Sequence, residues 1–282
     1  MPIEFFQSDS QMKVRQTFDS PTVYLDHWAI RMFTDDSILQ NRFVNAIKSK
    51  SGTLLLSNIS FAEFAVASDG RHSQDAENFV KRILPNIFLT DFAFDKILEQ
   101  ERAETDNVKR FWPSTDLAQL KLFAERAYQA SQNFSTIHGL FSLAHTNKDE
   151  INKLTAELVE QIKVSMQSQR EDPSYVAKAR ITQPNDKRPR TIVILGELMR
   201  SFVLDPSAPL KDNDITDMLH ATMPVNCCDY VLLDGAWAER VEKMKRRIKK
   251  IGANMPLAKC FSIRNHGVEK FLCDLEDFSQ PN

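Results

Sequence analysis

The segment from Lys211 to Asp234 has the sequence KDNDITDMLHATMPVNCCDYVLLD and carries the clearest indication of the fold. Its apolar run Tyr230–Leu233 ends directly at Asp234, and a second run, Thr22–Leu25, ends in the same way at Asp26. Short apolar runs of this kind are typical of buried strands in a parallel sheet. Because ligands of such sheets bind beyond the carboxyl ends of the strands, we expect Asp26 and Asp234 to face a binding crevice.

Three further apolar runs predict additional strands, at Thr53–Leu56, Ile87–Thr90 and Ala258–Ile263. Helical patterns lie between the runs, as in an α/β fold with crossover helices. The helix after the first strand is predicted to start near Asp35–Asp36, and the helix after the second to contain Phe61 and Phe64.

The region from about residue 95 to 203 has a different pattern. Two helical stripes, one containing Leu117 and Leu120 and the other Ile151 and Leu158, predict long helices. The polar stretch Arg170–Arg190 contains three prolines and is predicted to be a loop, followed by a helix at Thr191–Val203. We therefore expect a helical insertion or appendage to the sheet domain.

The first half of the opening segment predicts a helix with an acidic face. Asp214 and Asp217 are three residues apart, so they share this face, which His220 continues as a group supporting Asp217 or as a packing residue. The helix is expected to end near Met223-Pro224. An alternative interpretation makes Asp212 or Asp214 the N-cap and Asp217 a first-turn acid favoured by the helix dipole.

Each of the other acids also has a purely structural explanation. Asp26 and Asp234 are equally well placed to cap the helices that follow them. Ser60-x-x-Glu63 is a capping box, and Asp229, at the other end of its strand from Asp234, is expected to be structural. Taken together, however, clustered carboxylates repel one another unless a cation lies among them, and Mg²⁺ and Mn²⁺ prefer oxygen ligands.

These segments resemble the PIN-like domain nuclease family. The resemblance rests on VYLD ending at Asp26, on Glu63, on the N-D-x-x-D-x-x-H segment Asn213–His220, and on CDYVLLD ending at Asp234. It implies a three-layer α/β domain with a central, mostly parallel sheet, formed by residues 20–92 and 205–282. Residues 93–204 would be the helical insertion or appendage.

The resemblance also implies a function. Asp26, Glu63, Asp217 and Asp234 would be the catalytic acids and, with Asp214 as a further ligand, would bind Mg²⁺ or Mn²⁺. RNA would be cleaved to leave a 3′-hydroxyl and a 5′-phosphate. Two alternatives stay open: a metal-dependent phosphohydrolase of small phosphate esters, and a PIN-like binding or assembly module without activity.

The formal net charge is −2, so binding of nucleic acid would need a local basic patch. The predicted helix Ala236–Ile251 follows Asp234 and has such a face, which gives Arg240, Lys243, Arg246 and Arg247 as candidate RNA contacts. The alternative is an ordinary solvated helix face. A weaker second candidate comprises Lys187, Arg188 and Arg190.

Several other classes of function lack their signatures. No phosphate-cradling glycine motif, no paired C-x-x-C zinc motif and no G-x-S-x-G motif is present. The N-terminus lacks the features of a signal peptide, and no apolar run approaches the roughly 18 residues of a membrane span. We expect a cytoplasmic protein that acts on RNA, with a homo-oligomer or a regulatory protein partner left open.

Overall fold

The structure is a computed structural model. It describes residues 2–8, 11–57, 60–61, 70–91, 94–103, 112–129, 141, 144, 146, 148–185, 187–205 and 210–279.

The centre of the fold is a five-stranded parallel sheet. A separate antiparallel hairpin precedes it in the chain. The strands are β1 (Ile3–Ser8), β2 (Gln11–Gln16), β3 (Thr22–Leu25), β4 (Thr53–Ser57), β5 (Ile87–Thr90), β6 (Tyr230–Leu232) and β7 (Lys259–Phe261). The five apolar runs are therefore confirmed as strands, and the α/β class with a parallel sheet is confirmed with them.

Eleven α-helices within the described residues connect the strands or cover the sheet. They are α1 (His27–Asp35), α2 (Ser37–Ser49), α3 (Gly70–Ile83), α4 (Phe94–Ala103), α5 (Leu117–Gln129), α6 (Lys148–Glu171), α7 (Pro173–Ile181), α8 (Arg190–Val203), α9 (Asp212–Cys227), α10 (Gly235–Lys250) and α11 (Gly267–Glu276).

Helices cover both faces of the sheet, and each face has its own apolar core. On one face the rings of Phe33, Phe43, Phe79 and Phe271 stack with neighbouring centroids 5.0–6.0 Å apart. The other core contains buried residues of α8, α9 and α10. Alternate residues of β3 contribute to the two cores, since side chains of a strand point to opposite faces. This arrangement is compatible with three layers.

The strand order is β5-β4-β3-β6-β7, so the chain moves outward from β3 in one direction and later returns to β3's other side. The reversal lies between β3 and β6, which pair in parallel with Leu25 opposite Leu232. The crevice at such a reversal, beyond the carboxyl ends of the strands, is where open α/β sheets bind ligands.

The hairpin β1–β2 lies outside the elements predicted from the sequence. Its last residue, Gln16, accepts a hydrogen bond from Leu89 N at 3.0 Å and donates one to Leu89 O at 2.9 Å. The Gln16 amide thus satisfies the outer backbone groups of Leu89 in the edge strand β5, which would otherwise offer a template for further strand pairing.

The first helix also differs from the prediction. Helix α1 starts at His27, directly after β3, and the helix expected near Asp35–Asp36 is the second one, α2, capped by Asp36. The helix expected to contain Phe61 and Phe64 includes Phe61, while Phe64 lies outside the described residues.

The prediction of a loop at Arg170–Arg190 is wrong, because α7 occupies residues 173–181. Asp172 caps this helix by accepting a hydrogen bond from Ser174 N at 2.8 Å, and Pro173 takes its first position. Proline at that position loses no helical hydrogen bond and has a suitable φ, so it starts a helix here instead of breaking one.

The predicted end of a helix near Met223-Pro224 is also wrong. Helix α9 continues through Pro224 to Cys227, and Cys228 N donates to Pro224 O at 2.8 Å. The buried side chains of Met223, Val225 and Cys227 pack into the second core, which compensates the hydrogen bond that the proline cannot make.

The region between β5 and β6 is largely helical where the structure describes it, as expected. The helix before α9, α8, places Val193, Ile194, Leu198 and Phe202 in the same core as α9 and α10. The division into a sheet domain of residues 20–92 and 205–282 and an insertion of residues 93–204 stays a prediction. In the described part of the chain, no helix has the length and apolarity needed to cross a lipid bilayer.

We predict that Asp229→Ala lowers the free energy of unfolding by about 2 kcal/mol, a typical contribution for hydrogen bonds to a charged group. Asp229 Oδ2 accepts from both Thr22 N at 2.8 Å and Thr22 Oγ1 at 2.9 Å, which fixes the start of β3 beside β6. Urea denaturation measures the effect. A loss similar to that of the exposed control Asp75→Ala would contradict this structural role.

Candidate metal and nucleic acid site

Asp26 and Asp234 lie side by side at the switch point of the sheet. The backbone ladder between β3 and β6 extends to Asp26, whose N donates to Leu232 O at 3.1 Å. Both residues are helix N-caps: Asp26 Oδ1 accepts from His27 N at 2.8 Å, and Asp234 Oδ1 accepts from Ala236 N at 2.6 Å. The capping interpretation is therefore confirmed for both, and each carboxylate is held at the mouth of the crevice by its cap.

Asp217, on α9, forms the third side of the site. Its Oδ2 accepts a hydrogen bond from Trp237 Nε1 at 3.1 Å, and Trp237 N donates to Asp234 Oδ1 at 3.1 Å. One buried tryptophan in the first turn of α10 thus connects both aspartates. The sequence reasoning missed Trp237, although a tryptophan three residues after a strand-ending aspartate could have indicated it.

His220 fixes the position of Asp217 relative to β3. The Tyr24 hydroxyl and His220 Nδ1 form a hydrogen bond between two almost completely buried side chains. Tyr24 is two residues before Asp26 on its strand, and His220 is one helical turn after Asp217. This bond therefore sets the register of α9 against β3, which supports a positioning role for His220.

The structure does not place Asp214 and Glu63 with these three acids. Asp214 Oδ2 accepts from Lys211 N at 2.9 Å, so it completes the cap of α9, whose N-cap is Lys211 and neither Asp212 nor Asp214. Asp217 is accordingly the better placed third acid. Glu63 lies outside the described residues, and its role stays a prediction.

Burial and mutual repulsion make Asp26 and Asp217 reluctant to ionise. Burial raises the pKa of Asp26 to about 6, with a smaller contribution from the charge of Asp234. Burial also raises the pKa of Asp217 to about 7, followed by the charges of Asp26 and Asp234. Within the described residues, no lysine or arginine forms an ion pair with any of the three. Such a group of acids is suited to a cation.

The donor set fits Mg²⁺ or Mn²⁺, because all three side chains offer carboxylate oxygens. In the described part of the chain, which leaves out Glu63, no three His, Cys, Asp or Glu side chains already stand in an arrangement that could hold a metal ion. Asp217 and Asp234 instead direct an oxygen each to Trp237. Binding of a cation would use the second oxygen of each carboxylate or would require the bonded oxygens to turn toward the centre of the group.

The four basic residues expected to contact RNA lie on α10 beside the acids. Arg240, Lys243, Arg246 and Arg247 all line a groove between α8 and α10 with a volume of about 730 Å³. Arg240 is held over the Phe202 ring, 3.9 Å from its centroid, and Arg247 Nε donates to Glu197 at 2.6 Å. The basic face is thus part of a concave surface.

The three residues of the second basic candidate, Lys187, Arg188 and Arg190, differ in their exposure to solvent. Lys187 and Arg188 are exposed, whereas Arg190 is 4% exposed, so a role for Arg190 in phosphate contact is wrong. Arg190 is the first residue of α8 and is buried there.

Arg264 is a further cation near the acids that sequence reasoning missed. It lies beyond the carboxyl end of β7, and a Cβ added at Gly235, the residue after Asp234, would overlap its guanidinium nitrogen Nε. The side chain is 62% exposed and makes an ion pair of only 3.9 Å with Glu239. Its position depends on strand order, so no local motif could have indicated it.

Comparison with protein-family models, with curated proteins and with solved structures gave no match. The resemblance to PIN-like nucleases therefore stays a prediction that rests on the residues described above.

We predict that the metal-free protein becomes less stable as the pH rises from about 4 to about 7. With pKa values raised from 3.8 to about 6 and about 7, folded Asp26 and Asp217 keep protons that the unfolded chain has released. Their stabilising effect is complete below the unfolded pKa and is lost as the pH passes through the folded values.

Denaturation in EDTA at pH 5 and pH 8 measures this effect. The loss in free energy of unfolding between the two should be about 1.4 kcal/mol smaller in Asp26→Asn than in the wild type, because about one pKa unit of the Asp26 shift lies above pH 5. The exposed control Asp75→Asn should behave like the wild type. Equal losses in all three proteins would show that Asp26 is not in a destabilising acidic group.

Proposed function

We propose that this protein is a metal-dependent endoribonuclease. The observation that carries the proposal is the arrangement of Asp26, Asp217 and Asp234, three carboxyls from different elements, at the switch point of a parallel sheet. Buried like charges are costly unless a cation neutralises them, so a site of this kind is better explained by metal chemistry than by stability.

Asp26, Asp217 and Asp234 would hold Mg²⁺ or Mn²⁺, together with Glu63 as implied by the resemblance. When bound there, the cation would lower the pKa of a coordinated water and neutralise charge on the phosphodiester. In the hydrolysis a water oxygen bonds to phosphorus and the bond from phosphorus to the 3′-oxygen breaks. The 3′-oxygen takes a proton, which leaves a 3′-hydroxyl and a 5′-phosphate.

The chain's own residues have three tasks in this scheme. Trp237 and His220 orient Asp217, while the caps on α1 and α10 orient Asp26 and Asp234. Arg264 is available to neutralise a phosphate at the edge of the site. The basic groove on α10 favours a polymeric phosphate over a small phosphate ester, because lysine and arginine contacts along a groove add affinity only for a chain of phosphates.

We predict that purified protein cleaves labelled single-stranded RNA in Mg²⁺ or Mn²⁺ and not in EDTA. Asp26→Asn and Asp217→Asn should lower the rate about 100-fold or more, in the range of losses caused by removing a group that stabilises transition-state charge. Asp214→Asn should change it less than about threefold, because Asp214 serves as a cap. Glu63→Gln tests the fourth acid, and circular dichroism confirms folding.

The other outcomes identify the alternatives. Turnover of phosphomonoesters without cleavage of RNA would indicate a small-molecule phosphohydrolase. Absence of any cleavage, combined with RNA or protein binding that Asp26→Asn leaves unchanged, would indicate a binding module. Faster cleavage of single-stranded DNA than of RNA would contradict the choice of substrate.

We predict that Arg264→Ala lowers the cleavage rate about tenfold, as expected for a single charged contact to phosphate, and that Gly235→Ala does so as well. The added methyl would push the flexible arginine aside at little cost in stability, since Gly235 opens a helix and has no left-handed φ. The double variant should be no slower than either single variant. Additive losses would show that Gly235→Ala acts on Asp234 instead.

A further inference from the structure

The groove between α8 and α10 begins next to the acidic site and extends away from it. Ala236, two residues after Asp234, lines its near end, and Lys250, the last residue of α10, lines its far end. The intervening helix is roughly 20 Å long at 1.5 Å per residue. A chain bound along this groove would therefore run directly from the acids.

A second cavity, of about 420 Å³, continues the groove on the other side of α8. The two share Glu197 and Arg200, and the second adds Lys178 of α7 and Arg188. Tyr175, a 41% exposed aromatic ring, also lines it. The extended groove formed by both cavities is lined by eight basic and three acidic side chains, although the formal net charge of the whole chain is −2.

Two arginines face each other where the cavities join. Arg200 Nε donates to Ala179 O at 2.6 Å, and Arg247 Nη2 donates to Thr182 O at 2.8 Å. Burial lowers the pKa of Arg200, and the charge of Arg247 lowers it further. Glu197 pairs with Arg247, so one carboxylate serves two cations that are held in place by backbone carbonyls. An anion at this junction would relieve their repulsion.

We propose that the extended groove binds the phosphodiester backbone of single-stranded RNA over several nucleotides on one side of the acidic site. This inference rests on the proposed function and extends it, because it assigns a task to the helical region that the family resemblance does not cover. Helices α7 and α8 form the distal wall, and Tyr175 offers a face on which a base can stack, as in other grooves for single strands.

The length of the groove implies that the affinity for RNA depends on the length of the RNA. A short RNA bound at the acids reaches only the α10 part of the groove, whereas a longer one also reaches Lys178 and Arg188. Each phosphate contact releases a counterion, so the affinity should depend on salt with a slope of roughly 0.7 per contact.

The test is fluorescence anisotropy with labelled single-stranded RNAs of about 4, 8 and 16 nucleotides, lengths within the range of known single-strand sites. The Asp26→Asn protein is used in EDTA, so that the RNA is not cleaved during the measurement. Arg246→Ala/Lys250→Ala should reduce the salt slope by about 1.4 and weaken binding of the longer RNAs several-fold. The control Lys249→Ala/Lys270→Ala removes the same charge from exposed positions outside the groove and should leave both quantities unchanged.

A second pair of variants tests the distal wall. Lys178→Ala/Arg188→Ala should weaken binding of the longest RNA and leave the shortest unaffected, while Arg180→Ala/Lys153→Ala, at exposed positions outside the groove, should affect neither. Thermal denaturation of every variant shows whether folding is intact.

The results separate this inference from the proposed function. Equal losses in groove and control variants, or affinity that does not depend on length, would overturn the groove as an RNA site even if the protein cleaves RNA. Length-dependent binding that only the groove variants lose would support it even if no cleavage is found. A poly-glutamate peptide that binds as tightly as RNA, with the same sensitivity to the variants, would assign the groove to an acidic protein instead.

Discussion

The parallel pairing of β3 with β6 determines where the chemistry of this molecule can take place. It sets Leu25 opposite Leu232 and brings Asp26 beside Asp234 at the carboxyl edge, while Asp229 and Thr22 hold the other end of the same pair. A slip of one residue would exchange the faces of the strand and remove Asp26 from the crevice. The caps, the helices that follow and the position of the acids all depend on this one register.

Bringing acids together at this point costs free energy, and interactions in the surrounding structure offset this cost. The Tyr24–His220 and Trp237–Asp217 hydrogen bonds hold α9 so that a third carboxyl faces the first two, although burial and charge repulsion oppose its ionisation. Buried groups that resist their charged state are common at functional sites, because the strain is relieved only when a ligand of opposite charge binds. The acidic site carries negative charge and the groove beside it carries positive charge. This arrangement suits a cation at the acids and a polyanion in the groove.

Local pattern was sufficient for the five strands of the parallel sheet and for most of the helices in the described residues, because short buried apolar runs are recognisable in the sequence, whereas it did not indicate the hairpin β1–β2. It failed where distant contacts decide the structure. Pro224 stays in a helix because its neighbours are buried, and the side chain of Gln16 completes the edge of β5. Asp26, Asp217 and Asp234 could be named from sequence, whereas the contribution of Trp237, the position of Arg264 and the shape of the groove follow only from the packing of elements far apart in the chain. The choice between Asp214 and Asp217 likewise needed the cap at Lys211.

The central claim is that Asp26, Asp217 and Asp234 form one site for a divalent cation. Calorimetric titration of Mn²⁺ into the metal-free protein near pH 6.5, in two buffers of different ionisation enthalpy, tests it most directly. The account predicts one site whose binding releases protons, since the pKa values of Asp26 and Asp217 are raised and metal binding needs deprotonated ligands. Asp26→Asn and Asp217→Asn should abolish binding, and Asp214→Asn should retain it. Absence of binding, or binding that Asp26→Asn and Asp217→Asn leave unchanged, would contradict the account.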